Sequence, residues 1–513
     1  LEALIRDNQQ FDMLRSDEFT TNRPDLPPWI KVWWRKAHPD VTYSADDPTG
    51  GYPLVVKEVL EWMLHHQDLR PGVAEPMQMP APTPDKASVS GEVKVSGAPG
   101  APRSESDIRI NYWDSQKIIA ASNNISASGT QAQFFSTNGG ATWGQTNLSL
   151  ASGDSSHSDP TVDWTSDGKA WSTTLGIVGN TLRLRSYTSL DNGATWTLEA
   201  TPSGTQTNVD KQMVWVDHYT TSPCSNFQYA IYHNGLPAFI TTRNATTNTW
   251  GAPIQVSGAE STGTAIGGDV KSNSAGDAFG FWPTTTNRRV FVTKSTNCGG
   301  AWATPVQIAT TFDGFDIGVP SFSGRRALIY VSGGAFRNAT KNMVYASWTD
   351  LSGEAGCTAA ANEPGTNVAS TCKTRVWFAR STDGGATWQP AVMLNNQASL
   401  NDQFNQALVV DETTGALGIV YYDTVADAGR KKVHMYYQSS FNDGVTWSAA
   451  LQVTSAQTDE TGAGADSGNQ FGDYNSLTGI AGSFFPSWTD RRGGASEGEV
   501  AGDDQVAVRQ GRE

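Results

Sequence analysis

Along most of this chain, short apolar stretches are each introduced by an acidic residue and separated by polar, glycine-bearing turns. They read Asp107-Ile-Arg-Ile, Asp159-Pro-Thr-Val, Asp210-Lys-Gln-Met-Val, Asp269-Val, Asp316-Ile-Gly-Val, Asp402-Gln-Phe-Asn-Gln-Ala-Leu and Asp473-Tyr-Asn-Ser-Leu. Runs this short, bounded by Gly, Asn, Asp and Ser, predict β-strands. Later in the units comes a second kind of stretch, Pro253-Ile-Gln-Val, Pro305-Val-Gln-Ile or Ala450-Leu-Gln-Val, which predicts a short outer strand.

Between inner and outer strands lies a repeated turn ending in tryptophan. Its copies are Ser136-Thr-Asn-Gly-Gly-Ala-Thr-Trp143, Ser189-Leu-Asp-Asn-Gly-Ala-Thr-Trp196, Ser295-Thr-Asn-Cys-Gly-Gly-Ala-Trp302, Ser381-Thr-Asp-Gly-Gly-Ala-Thr-Trp388 and Ser440-Phe-Asn-Asp-Gly-Val-Thr-Trp447. Arg243 to Trp250 is a decayed copy. Asn or Asp closes such a turn through its own backbone, Gly supplies positive φ, and Trp plugs its ring between sheets. The tryptophans are spaced by 53, 54, 52, 86 and 59 residues. A period of this size predicts a β-propeller of four-stranded antiparallel blades. Seven units are counted, with a six-bladed ring as the alternative if two merge. The seventh begins at Asp473 and lacks an outer strand. Glu92-Val-Lys-Val-Ser matches that pattern yet precedes the first unit, so pairing the chain's two ends would close the ring and remove its sheet edges.

The turn resembles the Asp box, or bacterial neuraminidase repeat, S-x-D-x-G-x-T-W, over roughly residues 92 to 510. That resemblance implies a propeller and is shared by enzymes, lectins and assembly factors. Gly472-Asp-Tyr474 and Trp488-Thr-Asp-Arg-Arg492 make the chain look like secreted bacterial Asp-box proteins of the sialidase-like superfamily. Sialidases use Tyr as nucleophile, assisted by an acid, and hold a substrate carboxylate with arginines. Here only Arg109-Ile-Asn111 stands where their Arg-Ile-Pro motif would, and no full arginine triad is assigned.

Composition narrows the picture. Fifty-one glycines and 18 tryptophans with only 17 % charged residues suit many short strands. A net charge of −15 argues against nucleic acid and anionic membranes as partners, and no apolar run is long enough to span a bilayer. No leader is recognisable at the start of the sequence. Four cysteines predict two disulfides, a loop staple between Cys357 and Cys372 and a bridge between neighbouring blades from Cys224 to Cys298, and an oxidising, secreted or periplasmic location; four free thiols are the alternative.

Residues 1–70 differ in kind. Val55, Val59, Trp62 and Met63 fall at helical spacing behind Pro53, and Pro28 to Trp34 holds three tryptophans. This predicts a helical N-terminal extension, packed on the propeller or docking a protein partner. Residues 71–91 read as a Pro/Ala-rich linker, and 92–513 as the propeller.

If inner strands line a central channel, their leading acids gather at one mouth. Asp159, Asp402, Asp473 and Tyr474 are the candidate catalytic residues, because a glycosidase needs two carboxyl groups in opposite protonation states. Arg109, Lys211, Gln403 and Arg491 are candidates for substrate binding. Asp107, Asp210, Asp269 and Asp316 are candidates for holding Ca²⁺, a hard cation suited to carboxylates; no organic cofactor is expected. The structural alternative is that each Asp merely ties down backbone N–H groups near its strand. The expected function is a glycan- or glycoprotein-directed hydrolase at this mouth. The alternatives are a non-catalytic carbohydrate- or protein-binding propeller and an assembly subunit.

Overall fold

The computed structural model describes residues 92–97, 103–462, 465 and 468–492, together with the backbone of the strands Ala87–Lys94 and Gly502–Gln510. The expected helical extension over 1–70 lies outside the described residues, as does most of the linker. The compact unit that carries the propeller spans Pro84–Glu513, so it begins inside the segment read as linker.

Within that unit the chain is an all-β propeller. Among the described residues, helix is confined to one 3₁₀ turn, Ala360–Asn362. Six antiparallel sheets are built from consecutive strands, beginning with Asp107–Asn111, Ser156–Trp164, Val209–Val216, Asp269–Ser272, Ser332–Arg337 and Gln403–Val410. Six self-contained blades match the alternative count. The remaining unit is a composite sheet in which Ser476–Ile480, Ser483–Asp490 and Gly502–Gln510 are completed by Ala87–Lys94 from the other end of the chain. That last pair is antiparallel, with Ala87 opposite Gln510 and Lys94 opposite Asp504. The leading strands touch one another in chain order, and Ser476–Ile480 returns to Asp107–Asn111. The sheets therefore leave no free inner edge.

One expected unit needs correction. Asp316 heads the two-residue strand Asp316–Ile317, which pairs only with Ala327–Leu328 and forms an insert between the fourth and fifth blades. The fifth blade starts instead at Ser332, where no acid marks it. This insert and the Cys357–Cys372 loop together account for the long 86-residue repeat step. Cys224 pairs with Cys298, one in the third blade and one in the fourth.

The repeated turns share one hydrogen-bond scheme. In the second blade Ser189 Oγ accepts from Gly193 N at 2.9 Å, Asp191 Oδ1 accepts from Thr195 N at 2.8 Å, and Trp196 Nε1 donates to Gly193 O at 2.9 Å. The first blade repeats it with Ser136, Asn138 and Trp143. Gly193, at φ +93°, has Ile119 and Phe135 within about 3 Å of where a Cβ would sit. The turn thus needs glycine both for its backbone and for its closeness to the preceding blade. Between sheets the largest fully buried side chains are Trp164, Trp282, Trp348 and Trp488. Trp164 packs with Ile119, Ala121, Val162 and Ala170 across the first two blades.

Candidate active site at the channel mouth

Four inner-strand leaders adopt a conformation that side chains avoid. Glu105, Asp159, Lys211 and Asn405 have φ of 57°, 53°, 55° and 48°, and Gly267 and Gly472 show the same left-handed backbone in two further leaders. In several of these strands the ladder is broken at that residue, between Ser158 and Thr161, Asp210 and Met213, and Phe404 and Ala407. A non-glycine residue held at positive φ costs about 1–3 kcal/mol and tends to gather at functional sites. These residues project where the leading strands converge.

The carboxyl groups meet there. Asn123 Nδ2 donates to Glu105 Oε2 at 2.8 Å, and its Oδ1 accepts from Asp159 N at 2.9 Å. Glu105 Oε1 accepts from Asp473 N at 3.2 Å. Lys211 Nζ lies 3.9 Å from Asp159 Oδ2 and also touches Asp473. Arg325 from the insert touches Asp473 as well, and stands 3.4 Å from Glu105. Glu105, Asp159 and Asp473 are all buried. Burial first, then the Glu105 and Asp210 charges, pushes the Asp159 carboxyl well above the ordinary carboxylate range. Burial also raises Glu105, against the pull of Arg325. One mouth therefore holds a carboxyl whose proton is favoured by burial beside a second carboxyl that touches two cations.

Several expected site residues do other work. Asp402 is fully buried in a two-pronged ion pair with Arg430, at 2.7 and 2.8 Å, and also accepts from Thr374 N. Arg430 in turn donates to the carbonyls of Ser370 and Cys372, so Asp402 anchors the disulfide loop and leaves the catalytic set. Gln403 donates to Asp423 and to Asn395 O, and Arg491 donates to Asp459 O; neither is brought to the carboxyl cluster. Tyr474 does reach the mouth, but its hydroxyl donates to Pro160 O at 3.1 Å, and burial pushes it well above the usual phenol range. It is placed to support a site more than to attack from it.

The four expected metal ligands are not assembled. Asp107 accepts from Val162 N at 2.8 Å and pairs with Arg109 at 3.3 Å. Asp269 accepts from Gly333 N at 2.8 Å and pairs with Lys271 at 2.6 Å. Each thus ties its blade to the inner strand of the next one and is paired with a cation of its own strand. Asp210 stands 3.8 Å from His233 Nε2, near enough to Asp159 and Glu105 for its charge to act on both, and Asp316 pairs with Arg326 in the insert. Among the described residues no cluster of three His, Cys, Asp or Glu is spaced to hold a metal, so these four residues do not fit Ca²⁺.

Below the mouth, Asp107, Arg109, Trp215, Asp269, Lys271, Tyr330 and Tyr474 line a cavity of about 50 Å³. That holds a few waters and is far smaller than the ~300 Å³ minimum of an ordinary ligand pocket. Lys271 Nζ sits 4.6 Å from the Trp215 ring centroid, and burial lowers its pKa despite Asp269. The channel is packed, so a sizeable ligand would have to sit at its mouth.

The far end of the channel is closed by side chains the sequence reading passed over. His218 Nδ1 lies 2.7 Å from Glu412 Oε2, and Nε2 lies 2.8 Å from Asp163 Oδ1. Tyr112 stacks on the imidazole at 5.8 Å and Trp215 meets it edge-on at 4.9 Å. Burial would lower the His218 pKa, but the two carboxylates outweigh it and hold it up to about 10. Three blades are thereby joined across the axis by one imidazolium.

Glu105 and Arg325 were also passed over. Glu105 sits two residues ahead of an acid already chosen, and Arg325 lies in the insert mistaken for a blade. A positive-φ position leaves no signal in sequence unless glycine occupies it.

No protein-family model matches the chain, and no curated protein matches it. Solved structures do. The BP39L lectin from Burkholderia pseudomallei aligns at 10 % identity and TM-score 0.50, over 80 % of this chain and 98 % of the lectin. A protein of unknown function from Dyadobacter fermentans aligns at 12 % identity and TM-score 0.45, over 83 % and 100 %. The intramolecular trans-sialidase from Ruminococcus gnavus aligns at 12 % identity and TM-score 0.39, over 82 % and 98 %. It is the lectin alignment, at TM-score 0.50, that supports the propeller, and at its identity what is shared is the fold.

Proposed function

We propose that this propeller acts on glycans outside the cytoplasm, as a glycoside hydrolase-type enzyme working at the channel mouth. The observation that carries the reading is the meeting of two buried carboxyls at one mouth: Asp159, whose proton burial and Glu105 favour, and Asp473, which touches Lys211 and Arg325. Two carboxyl groups in opposite states are what glycosidic bond cleavage requires: one protonates the leaving oxygen and the other stabilises or attacks the anomeric centre. Asp159 is assigned the acid, Asp473 the anionic partner, and Lys211 the group that spaces them. Tyr474 and Tyr330, 5.6 Å apart, give the site an aromatic wall. Two disulfides, with no described helix long and apolar enough to cross a membrane, agree with a secreted protein.

The second reading is a lectin-like propeller that holds a glycan without cleaving it. The depth at which both carboxyls are buried favours it. A panel of chromogenic glycosides run beside a glycan array separates the two, using the wild type, Asp159→Asn and Asp473→Asn. Turnover lost in both folded variants supports the enzyme. Binding without turnover supports the lectin. Turnover indifferent to both substitutions rules out this mouth.

A further inference from the structure

Arg325, on the insert between the fourth and fifth blades, lies against the mouth carboxyls Asp473 and Glu105, and the insert is held in two unlike ways. Its base is fixed: Ile317, Val319 and Phe322 are buried, and the Phe322 ring packs 5.2 Å from both Phe404 and Phe471. Its tip is held by polar contacts, among them a bond from Arg325 Nη1 to Gly468 O at 3.3 Å. The backbone N–H groups of Ser323, Gly324 and Arg325 all point at Gln470 Oε1, at 3.3, 3.1 and 2.9 Å. Gln470 is itself buried and held at φ 43°. On the outer side Arg326 donates to both carboxylate oxygens of Glu363, each at 2.6 Å, within the disulfide-bounded loop.

From this tip Arg325 reaches inward to Asp473 and Glu105. Its side chain is 25 % exposed, while those of Asp473 and Glu105 are 2 % and 4 % exposed. A guanidinium is therefore the outer layer over carboxyls that are themselves sealed. The rest of the tip carries little packing: Ser323 and Gly324 are exposed, and the insert's ladder is only two residue pairs long. Segments with few buried contacts and a short ladder open at low free energy.

We infer that Arg325 is a positioning residue that works as a gate. With the tip down, its fork covers Asp473 and Glu105 and balances their charge; with the tip raised about Phe322, the carboxyls are open to a glycan chain. The inference rests on reading this mouth as the site, and it adds how the site is reached. It concerns access alone, so it can fail while the glycan reading stands, and the reverse.

The test is carboxyl labelling by a water-soluble carbodiimide with excess glycinamide, read residue by residue by peptide mass spectrometry on the full chain. In the wild type Glu105 and Asp473 should label slowly, and faster at 1 M than at 0.05 M NaCl, because salt weakens a partly exposed ion pair. Arg325→Gln should label both roughly tenfold faster or more, as expected when charge-assisted hydrogen bonds to buried acids are lost. Arg325→Lys should restore much of the protection, since it keeps the charge. Deeply buried Asp402 serves as internal control and should stay slow in every variant. Equal protection in wild type and Arg325→Gln would overturn the gate, as would a lysine variant as open as the glutamine one. Should Arg325→Gln fail to fold, the salt dependence in the wild type decides alone, and no dependence overturns the inference.

Discussion

Replacing His218 by Gln removes the one cation that joins three blades at the closed end of the channel. The imidazole is 4 % exposed and bonded on both nitrogens, to Asp163 and Glu412. Its pKa is raised from 6.5 to about 10. A raised pKa means the folded state binds the proton more tightly, so the stabilisation is complete below about 6.5 and lost as pH rises through about 10. At ~1.36 kcal/mol per tenfold change in proton affinity, that interval is worth roughly 4–5 kcal/mol. The loss on breaking a buried ion pair, about 3–5 kcal/mol, is of the same order. With an unfolding entropy of ~2.1 cal/mol/K per residue, a unit spanning Pro84–Glu513 converts this to a fall in Tm of roughly 5 °C. Differential scanning calorimetry of wild type and His218→Gln at pH 6, 8 and 10 is the assay. The gap should be largest at pH 6 and should narrow toward pH 10, where the wild type also loses its charge. A gap of constant size would show that only packing is lost. No gap at pH 6 would refute the clamp altogether.

Other substitutions separate structure from chemistry. Asp402→Asn leaves Arg430 buried without its partner, so the urea midpoint should fall by an amount equivalent to about 3–5 kcal/mol; a midpoint within error of wild type would return Asp402 to the functional candidates. Asp159→Gly relieves a left-handed backbone worth about 1–3 kcal/mol and removes a buried acid, so it should melt above wild type while glycan turnover or binding falls. A lower melting temperature would mean the residue supports the fold more than the site. Cys224→Ser opens a bridge between residues 74 apart and should cost about 4 kcal/mol on the chain-entropy account, measured as a lower urea midpoint without loss of the native circular dichroism. An unchanged midpoint would mean the bridge constrains little.

Much of the architecture could be read from the residues, because the turn that builds each blade is written in side chains. Ser189, Asp191, Gly193 and Trp196 each have a defined job in one turn, and their period exposes the repeat. The strand borrowed from the start of the chain was legible for the same reason. Asp316 misled because an acid before an apolar run also describes a two-residue hairpin, and strand length is not encoded in the acid. The site was harder. Asp107 and Asp269 look like functional acids yet bond backbone N–H groups of the neighbouring blade, a contact with no local sequence signature. Asp159 and Asp473 meet only because separate blades carry them to one axis. Arg325 and His218 arrive from an insert and from a strand end, respectively. Tertiary convergence of this kind leaves no period to detect.

A glycan is expected at the mouth formed by Asp159, Asp473, Lys211 and Arg325. A crystal structure of the Asp159→Asn variant soaked with an oligosaccharide identified by array or turnover tests it most directly. Sugar density is expected over Lys211 and beside Asp473, with the Ser323–Arg326 tip displaced. Sugar seated on the outer strands or at the Tyr112–His218 end, with the tip still closed, would contradict it.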